Sequence, residues 1–326
     1  MKQYIHSIGV ALPNRIVSNA DLALHMDTTD EWIQTRTGIA QRYMVEEESH
    51  TSLATRASEC AFATTSIPPH TITHIIGATC SPDTYSPSLA VSVAHNLGMT
   101  NICAFDMNAM CSGYLYGLEI ARGLLCANQN STILLLLASE LMSRRINMND
   151  RTTAVLFGDA STATILSTQH EGALAELEDV ICCADGTLSN CLTLGGACGK
   201  PKAVGDSITD DFFIQMNGRE VFKNAVRIMP MICEQILSAN GYTIDDVDLL
   251  IAHQANFRII EAVGERLGIA QNKVFINVHN YGNTSSATIP LALYEAKEQG
   301  ILQESMKVLL VAFGGGFTWG SALLQC

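Results

Sequence analysis

A cysteine set at the start of a helix is the first candidate for chemistry in this chain. Cys111 stands between an apolar run that reads as a strand (residues 102–105) and a run that reads as a helix (112–125). A helix N-terminus offers unpaired N–H groups and the positive end of a dipole, and both favour the thiolate, which is the nucleophilic form. Against this stands the ordinary fate of cysteine as an inert small hydrophobe. With 11 cysteines in the chain, position rather than residue type singles out Cys111.

Three further stretches carry suitable groups. His253 opens the sequence His-Gln-Ala-Asn directly after the apolar run 249–252. The carboxyl end of a strand is where open α/β sheets place reactive groups, although a hydrogen-bonded strand-end histidine fits as well. Asn283 lies in Tyr-Gly-Asn-Thr-Ser-Ser (281–286), where Gly282 permits a tight turn and Thr284 or Ser285 can cap the next helix. On spacing alone Asn283 is a turn residue or a polar group aimed at a site. Gly314, Gly315 and Gly316 form a turn whose backbone can approach a ligand and point N–H groups at an oxyanion. The spacing is not that of a dinucleotide or phosphate loop.

The frame around these groups is a packed α/β chain. Hydrophobic residues make up 48% and charged residues 16%, which excludes a disordered or fibrous chain, and 326 residues favour two domains of moderate size. A net charge of −13 with only 19 Lys and Arg argues against nucleic acid, so an anionic ligand must meet a local basic patch. The cysteines form no CxxC pair and have no His-rich partner, which fits neither a disulfide framework nor a zinc site. Reduced thiols in a cytoplasmic protein are the simpler expectation. No signal peptide is recognised, and the most apolar run, 133–138, is far below the ~20 residues a membrane-spanning helix needs.

Periodicity and breakers place strands at 4–12, 74–80, 132–138, 249–252, 307–313 and 319–324. Helices are expected at 21–25, 29–35, 51–65, 87–97, 217–240, 257–267 and 285–298. Helix 29–35 begins with a capping pattern and sets Trp32 and Arg36 four residues apart, hence on one face. Pro230 should kink helix 217–240 or divide it. Residues 183–211 are Gly-rich and aperiodic, as binding or covering loops are. Two pairs of stretches look alike, 156–160 with 312–316 and 73–77 with 247–251, which suggests a duplicated βαβ unit. The pattern breaks at 169–175, so halves 1–172 and 173–326 are expected, the first carrying the cysteine and the second the histidine and asparagine.

In this order, the four stretches resemble the thiolase-like condensing enzymes, and within them the β-ketoacyl-acyl carrier protein synthase III family. The resemblance runs from Asp-Glu-Trp-Ile (30–33) and Thr-Arg-Thr-Gly-Ile (35–39) to Phe-Gly-Gly-Gly-Phe-Thr-Trp-Gly-Ser-Ala (313–322). It implies two duplicated halves in a five-layered αβαβα arrangement, a homodimer, and an acyltransferase that starts fatty acid synthesis with no metal and no cofactor beyond its substrates. By the resemblance, Cys111 takes an acyl group from acyl-coenzyme A, with the N–H groups of Cys111 and Gly315 as oxyanion hole. His253 and Asn283 then hydrogen-bond the thioester carbonyl of malonyl-acyl carrier protein as carbon dioxide leaves. Trp32 and Arg151 would sandwich the adenine, Arg36 meet the phosphates, and Asn256 and Gly218 follow the pantetheine arm.

Two features depart from the family pattern. The helix expected to dock an acidic carrier protein offers Arg258 and Arg266 but also Glu261 and Glu265, with Lys223 and Arg227 nearby as compensation. Where several family members close the acyl pocket across the dimer with a bulky aromatic, this chain has Ser86, with Tyr85 beside it. Ser86, Met107 and Met110 are therefore expected to shape a pocket for primers longer or more branched than acetyl. Two other readings remain: a condensing or acyl-transfer enzyme of secondary metabolism with another primer or acceptor, and a non-catalytic acyl-binding partner, against which the joint presence of Cys111, His253 and Asn283 weighs.

Overall fold

A computed structural model of the chain describes residues 2–127, 132–195 and 212–326. In chain order its strands and helices are β1 (Gln3–Ala11), β2 (Ile16–Ser18), α1 (Asn19–Ala23), α2 (Asp30–Thr37), β3 (Gln41–Tyr43), α3 (His50–Ala63), β4 (His74–Ala78), α4 (Leu89–Asn96) and β5 (Cys103–Met107). Then come α5 (Gly113–Ala127), β6 (Leu134–Leu141), α6 (Arg151–Ala154), β7 (Asp159–Ser167), β8 (Ala175–Ala184), β9 (Leu192–Leu194), β10 (Ile214–Met216) and α7 (Gly218–Ala239). The chain closes with β11 (Leu249–Ala252), α8 (Phe257–Leu267), α9 (Val278–Tyr281), α10 (Thr288–Glu298), β12 (Lys307–Gly314) and β13 (Thr318–Gln325).

Nine strands join in the order β11-β12-β13-β8-β1-β7-β6-β4-β5. The two sides of this sheet repeat one pattern. On one side β4 runs parallel to β5 and β6, with β7 and then β1 antiparallel to their predecessors. On the other β11 runs parallel to β12, with β13 and then β8 antiparallel in turn, and Val274 adds a parallel bridge beside β11 where β5 would stand. Within the sheet the sides join where Gln3, Tyr4 and Ile5 of β1 face Leu177, Glu176 and Ala175 of β8.

Strands buried on both faces explain the long apolar runs. All eight residues of β6 and of β12 are buried. Helices α3 and α4 cover one outer face, α7 and α8 the other, and α5 and α10 lie between, each touching strands of both sides. The result is five layers, αβαβα, with a separate apolar cluster at each outer helix layer and a third around α5 and α10. Among the described residues no helix is long and apolar enough to cross a membrane.

Two expectations change. Strand β8 was not foreseen, because Glu176, Glu178 and Asp179 give it the look of a polar connection. Helix α7 is one helix through Pro230, so the proline does not divide it. A proline leaves the carbonyl four residues earlier without its N–H, and here Arg266 of α8 donates to that carbonyl, Val226 O, at 3.1 Å. Of the aperiodic segment 183–211, residues 196–211 lie outside the described residues.

Candidate active site

The turn that carries Cys111 is fixed from both ends. At the end of β5 the Asp106 carboxylate accepts the Leu89 and Ala90 N–H groups at 2.7 and 2.9 Å, tying the strand to the start of α4. Gly77 makes room for it, since a Cβ there would lie 2.3 Å from Asp106 Oδ1. Met110 then adopts φ 48°, an unusual conformation for a side-chain-bearing residue, and its N–H donates to Asn108 Oδ1 at 3.0 Å. Ser112 Oγ donates to the Thr318 carbonyl, and the Thr318 hydroxyl reaches the Ala109 and Gly315 carbonyls, all at 3.0 Å. The glycine turn thus lies against the cysteine. A Cβ on Gly314 would sit 2.8 Å from Cys111 N, so only glycine allows this approach.

His253 and Asn283 arrive from the other side. The parallel pairing of β11 with β12 carries His253 to the strand end, where its N–H donates to Val311 O at 2.7 Å and its Nδ1 lies 2.6 Å from Thr288 Oγ1. Gln254, next in sequence, bridges the Ala252 and Phe275 carbonyls to the N–H groups of Asn277 and Val278, joining β11 to the segment that leads to Asn283. Asn283 itself is clamped by backbone bonds to Leu156 O (2.8 Å) and from Gly158 N (3.1 Å). Its Oδ1 accepts the Ser285 N–H at 2.8 Å. A backbone N–H only donates, so the amide orientation is set and Nδ2 is left for another acceptor.

Cys111, His253 and Asn283 all line one cavity of about 440 Å³. All three side chains are buried. Burial pushes the Cys111 thiol from its ordinary 9.0 up to about 12; a Ser285 hydrogen bond acts the other way and the nearby Glu140 charge adds to the rise. The expected thiolate is therefore not the resting form. Burial likewise pushes His253 down to about 3, so its imidazole is neutral, with one ring N–H to donate and little tendency to take a second proton.

Comparison with known proteins gives these residues a family. Two family models match, 3-oxoacyl-[acyl-carrier-protein] synthase III over residues 105–186 and its C-terminal domain over 237–326. A β-ketoacyl-[acyl-carrier-protein] synthase III of Nitratidesulfovibrio vulgaris is 51% identical over 324 residues, 98% of each chain. The chain belongs to this family. Its members are condensing acyltransferases, and solved structures agree in fold. The synthase III of Aquifex aeolicus superposes with TM-score 0.91 at 37% identity, covering 99% of this chain and 100% of that one. The Thermus thermophilus enzyme gives 0.91 at 39%, covering 99% of each.

Within the family frame, the structure sorts the remaining candidates. Trp32, Arg36, Gly218, Asn256, Arg258 and Met110 line the same cavity as Cys111. Arg36 and Arg151 each place a guanidinium on Trp32, at 4.5 and 4.6 Å from the ring centroid. Asn256 has a structural task as well, capping α8 through Arg258 N (2.9 Å) and holding Arg36 O (3.0 Å). Arg258 stands exposed near Phe222, whereas Arg266 spends its guanidinium on Val226 O. Lys223 pairs with Glu220 and Arg227 with Asn224.

The residues expected to shape an acyl pocket lie in three different places. Ser86 lies in an exposed segment and Met107 packs into the core around α5, so neither lines the cavity of this chain. Its apolar wall comes instead from Met142, Leu192, Ile214 and Phe313 with Met110. Sequence reasoning also missed Glu140, Gln254, Ser285 and Thr288. Ser285 was visible only as a capping residue, and a glutamate inside an apolar strand was the signal for Glu140.

Proposed function

We propose that this chain catalyses the decarboxylating condensation of an acyl-coenzyme A primer with malonyl-acyl carrier protein, with Cys111 as the acylated residue. The observation that carries the reading is the single cavity that unites Cys111, His253 and Asn283 with Trp32, Arg36 and Arg258. In the first half-reaction the Cys111 sulfur attacks the acyl carbonyl, the N–H groups of Cys111 and Gly315 hold the oxyanion, the bond to coenzyme A breaks, and the thiol proton passes to the departing sulfur. In the second, carbon dioxide leaves malonyl-acyl carrier protein and the electron pair moves onto the thioester carbonyl oxygen. His253 and Asn283 Nδ2 donate to that oxygen. The enolate carbon then attacks the Cys111 thioester, and the cysteine sulfur leaves as the thiolate and takes a proton from solvent.

Thr288 sets which ring nitrogen of His253 carries the proton. Its single hydroxyl hydrogen faces two acceptors, Ser285 O at 3.1 Å and His253 Nδ1 at 2.6 Å. With the O–H turned to Ser285, Nδ1 carries the ring proton and Nε2 has none to donate. With the O–H turned to Nδ1, Nε2 carries the proton and donates.

In this reading Trp32 and Arg151 receive the adenine, Arg36 the phosphates, and Asn256 and Gly218 border the pantetheine arm. Arg258 is the docking residue for an acidic carrier protein. The enzyme works in the cytoplasm as a homodimer of chains whose halves are 1–172 and 173–326, and Ser86 acts across that dimer. The apolar wall of the cavity supports primers longer or more branched than acetyl. Cys111→Ala should abolish primer transfer and retain malonyl decarboxylation, while His253→Ala should do the reverse, measured separately by acyl transfer from labelled acyl-coenzyme A and by carbon dioxide release. Equal loss of both activities in both variants would count against the assignment.

A further inference from the structure

Arg42 is a charged side chain for which the reaction has no direct use, and it is fully buried. It sits at the centre of β3, and among the described residues no carboxylate pairs with it. Its Nε has no hydrogen-bond partner among them either. A buried charge without an opposite charge is costly, and an apolar side chain would fill the same space without that cost. What the guanidinium adds is its donated bonds. Nη1 donates to Asn19 Oδ1 at 2.8 Å and to Val17 O at 3.3 Å, and Nη2 donates to Val155 O at 2.7 Å.

These bonds reach the place where Asn283 is clamped. Val155 begins the strip 155–158, in which Leu156 O accepts the Asn283 N–H and the Gly158 N–H donates to Asn283 O. Val155, Leu156 and Phe157 line the cavity together with Asn283. The stem of Arg42 lies against the same clamp. A Cβ on Gly158 would stand 3.1 Å from Arg42 Cβ, and one on Gly282 would stand 3.4 Å from it. Neighbours of Arg42 hold the other side: the Ala40 N–H donates to His279 O at 3.0 Å, and the Tyr43 ring stacks on Tyr281 at 5.9 Å between centroids. Both partners belong to α9, which ends at Tyr281, just before the Asn283 turn. The far end of the guanidinium rests on a fixed base, because Asn19 Nδ2 donates to Ile39 O at 2.7 Å and to Asp30 Oδ1 at 2.8 Å.

We infer that Arg42 is a positioning residue for Asn283, holding the strip 155–158 in place so that Asn283 Nδ2 is aimed at the thioester oxygen. Arg42 is not among the residues that line the cavity; it acts through the backbone on either side of Asn283. The inference rests on the reading that Nδ2 donates to that oxygen during decarboxylation. Acyl transfer to Cys111 does not use Nδ2. The bond from Asn19 to Asp30, at the start of α2, does not involve Arg42, so Trp32 and Arg36 keep their support when Arg42 is replaced.

The test is a double-mutant cycle in the full chain between Arg42→Met and Asn283→Ala. It is read by carbon dioxide release from malonyl-acyl carrier protein and, in the same preparations, by acyl transfer from labelled acyl-coenzyme A. Arg42→Met should lower kcat for carbon dioxide release about tenfold, as a misaimed donor does, with KM and acyl transfer within about twofold of wild type. Arg42→Lys keeps the charge and a donor, and should fall between wild type and Arg42→Met. With Asn283 already alanine there is no donor left to misaim, so Arg42→Met should slow release by no more than about twofold further. A general structural defect would lower both reactions, and by the same factor in either background. Equal losses in both backgrounds, unchanged release in Arg42→Met, or loss of acyl transfer in both Arg42→Met and Arg42→Lys overturns the inference. If Arg42→Met alone fails to acylate, the cycle is read with Arg42→Lys, whose smaller loss should likewise vanish in Asn283→Ala. Release at the wild-type rate in Asn283→Ala overturns the role of Nδ2 and the inference with it, whereas slowed release there beside unaffected Arg42 variants overturns the inference alone.

Discussion

Replacing Asn283 by aspartate changes one group and leaves its anchorage intact. The acceptor that holds Ser285 N at 2.8 Å is an oxygen in both residues, and the backbone bonds to Leu156 and from Gly158 do not involve the side chain. What changes is the other atom. A donor N–H becomes a carboxylate oxygen, at the place assigned to the developing enolate. Losing one such donor costs about 3 kcal/mol, or about a hundredfold in rate, and the added negative charge deepens the loss. Carbon dioxide release from malonyl-acyl carrier protein should therefore rank wild type, then Asn283→Ala, then Asn283→Asp at pH 8. Acyl transfer from acyl-coenzyme A to Cys111 should be far less affected. Because a buried carboxyl group titrates upward, the aspartate variant should recover part of its activity as pH falls and the group becomes an O–H donor. Decarboxylation at the wild-type rate in the aspartate variant, or acyl transfer that falls equally, would refute the role given to Nδ2.

Other consequences are open to direct measurement. Gly314→Ala would put a methyl group 2.8 Å from Cys111 N, against backbone that cannot step aside, and should cost about tenfold or more in single-turnover acyl transfer. Arg266→Ala should lower the unfolding free energy from urea titration by about 1 kcal/mol because Val226 O loses the donor that stands in for the Pro230 N–H, whereas Arg258→Ala should raise the KM for carrier protein with that free energy unchanged. Burial holds His253 at about 3 and His50 at about 4 in the folded chain. Unfolding raises both toward their ordinary 6.5, so the unfolded chain binds more protons and stability is lost as pH falls below 6.5. Unfolding free energies from urea titrations at pH 7 and pH 5 should differ by about 2 kcal/mol for each histidine. Trp32→Ala should raise the KM for acyl-coenzyme A with little change in kcat, as expected of a residue that binds without reacting.

The order of strands and helices was largely legible because long, fully buried strands such as β6 and β12 write themselves as unbroken apolar runs. The repeated pattern was legible too, since the stretches 73–77 and 247–251 became β4 and β11, equivalent strands of the two sides. Strand β8 was not, because its acidic residues belong to a strand at the seam that is only partly buried. For the site, Cys111, His253 and Asn283 stood out by their places beside strand ends and turns. The protonation of Cys111 did not. A helix start is visible in sequence, but the burial that outweighs it depends on chain segments more than a hundred residues away. Glu140 and Ser285 are likewise 145 residues apart in sequence, and no local spacing reveals that they meet. Met107 misled because proximity in sequence to Cys111 does not decide on which side of β5 a side chain points.

The central claim is that Cys111 carries the primer. Intact-mass and peptide mass spectrometry after incubation with acetyl-, isobutyryl- and octanoyl-coenzyme A tests it most directly. The expected result is one acyl group per chain on the Cys111 peptide, absent in Cys111→Ala, with the longer or branched primers accepted. An acyl group on another residue, or one that persists in Cys111→Ala, would contradict it.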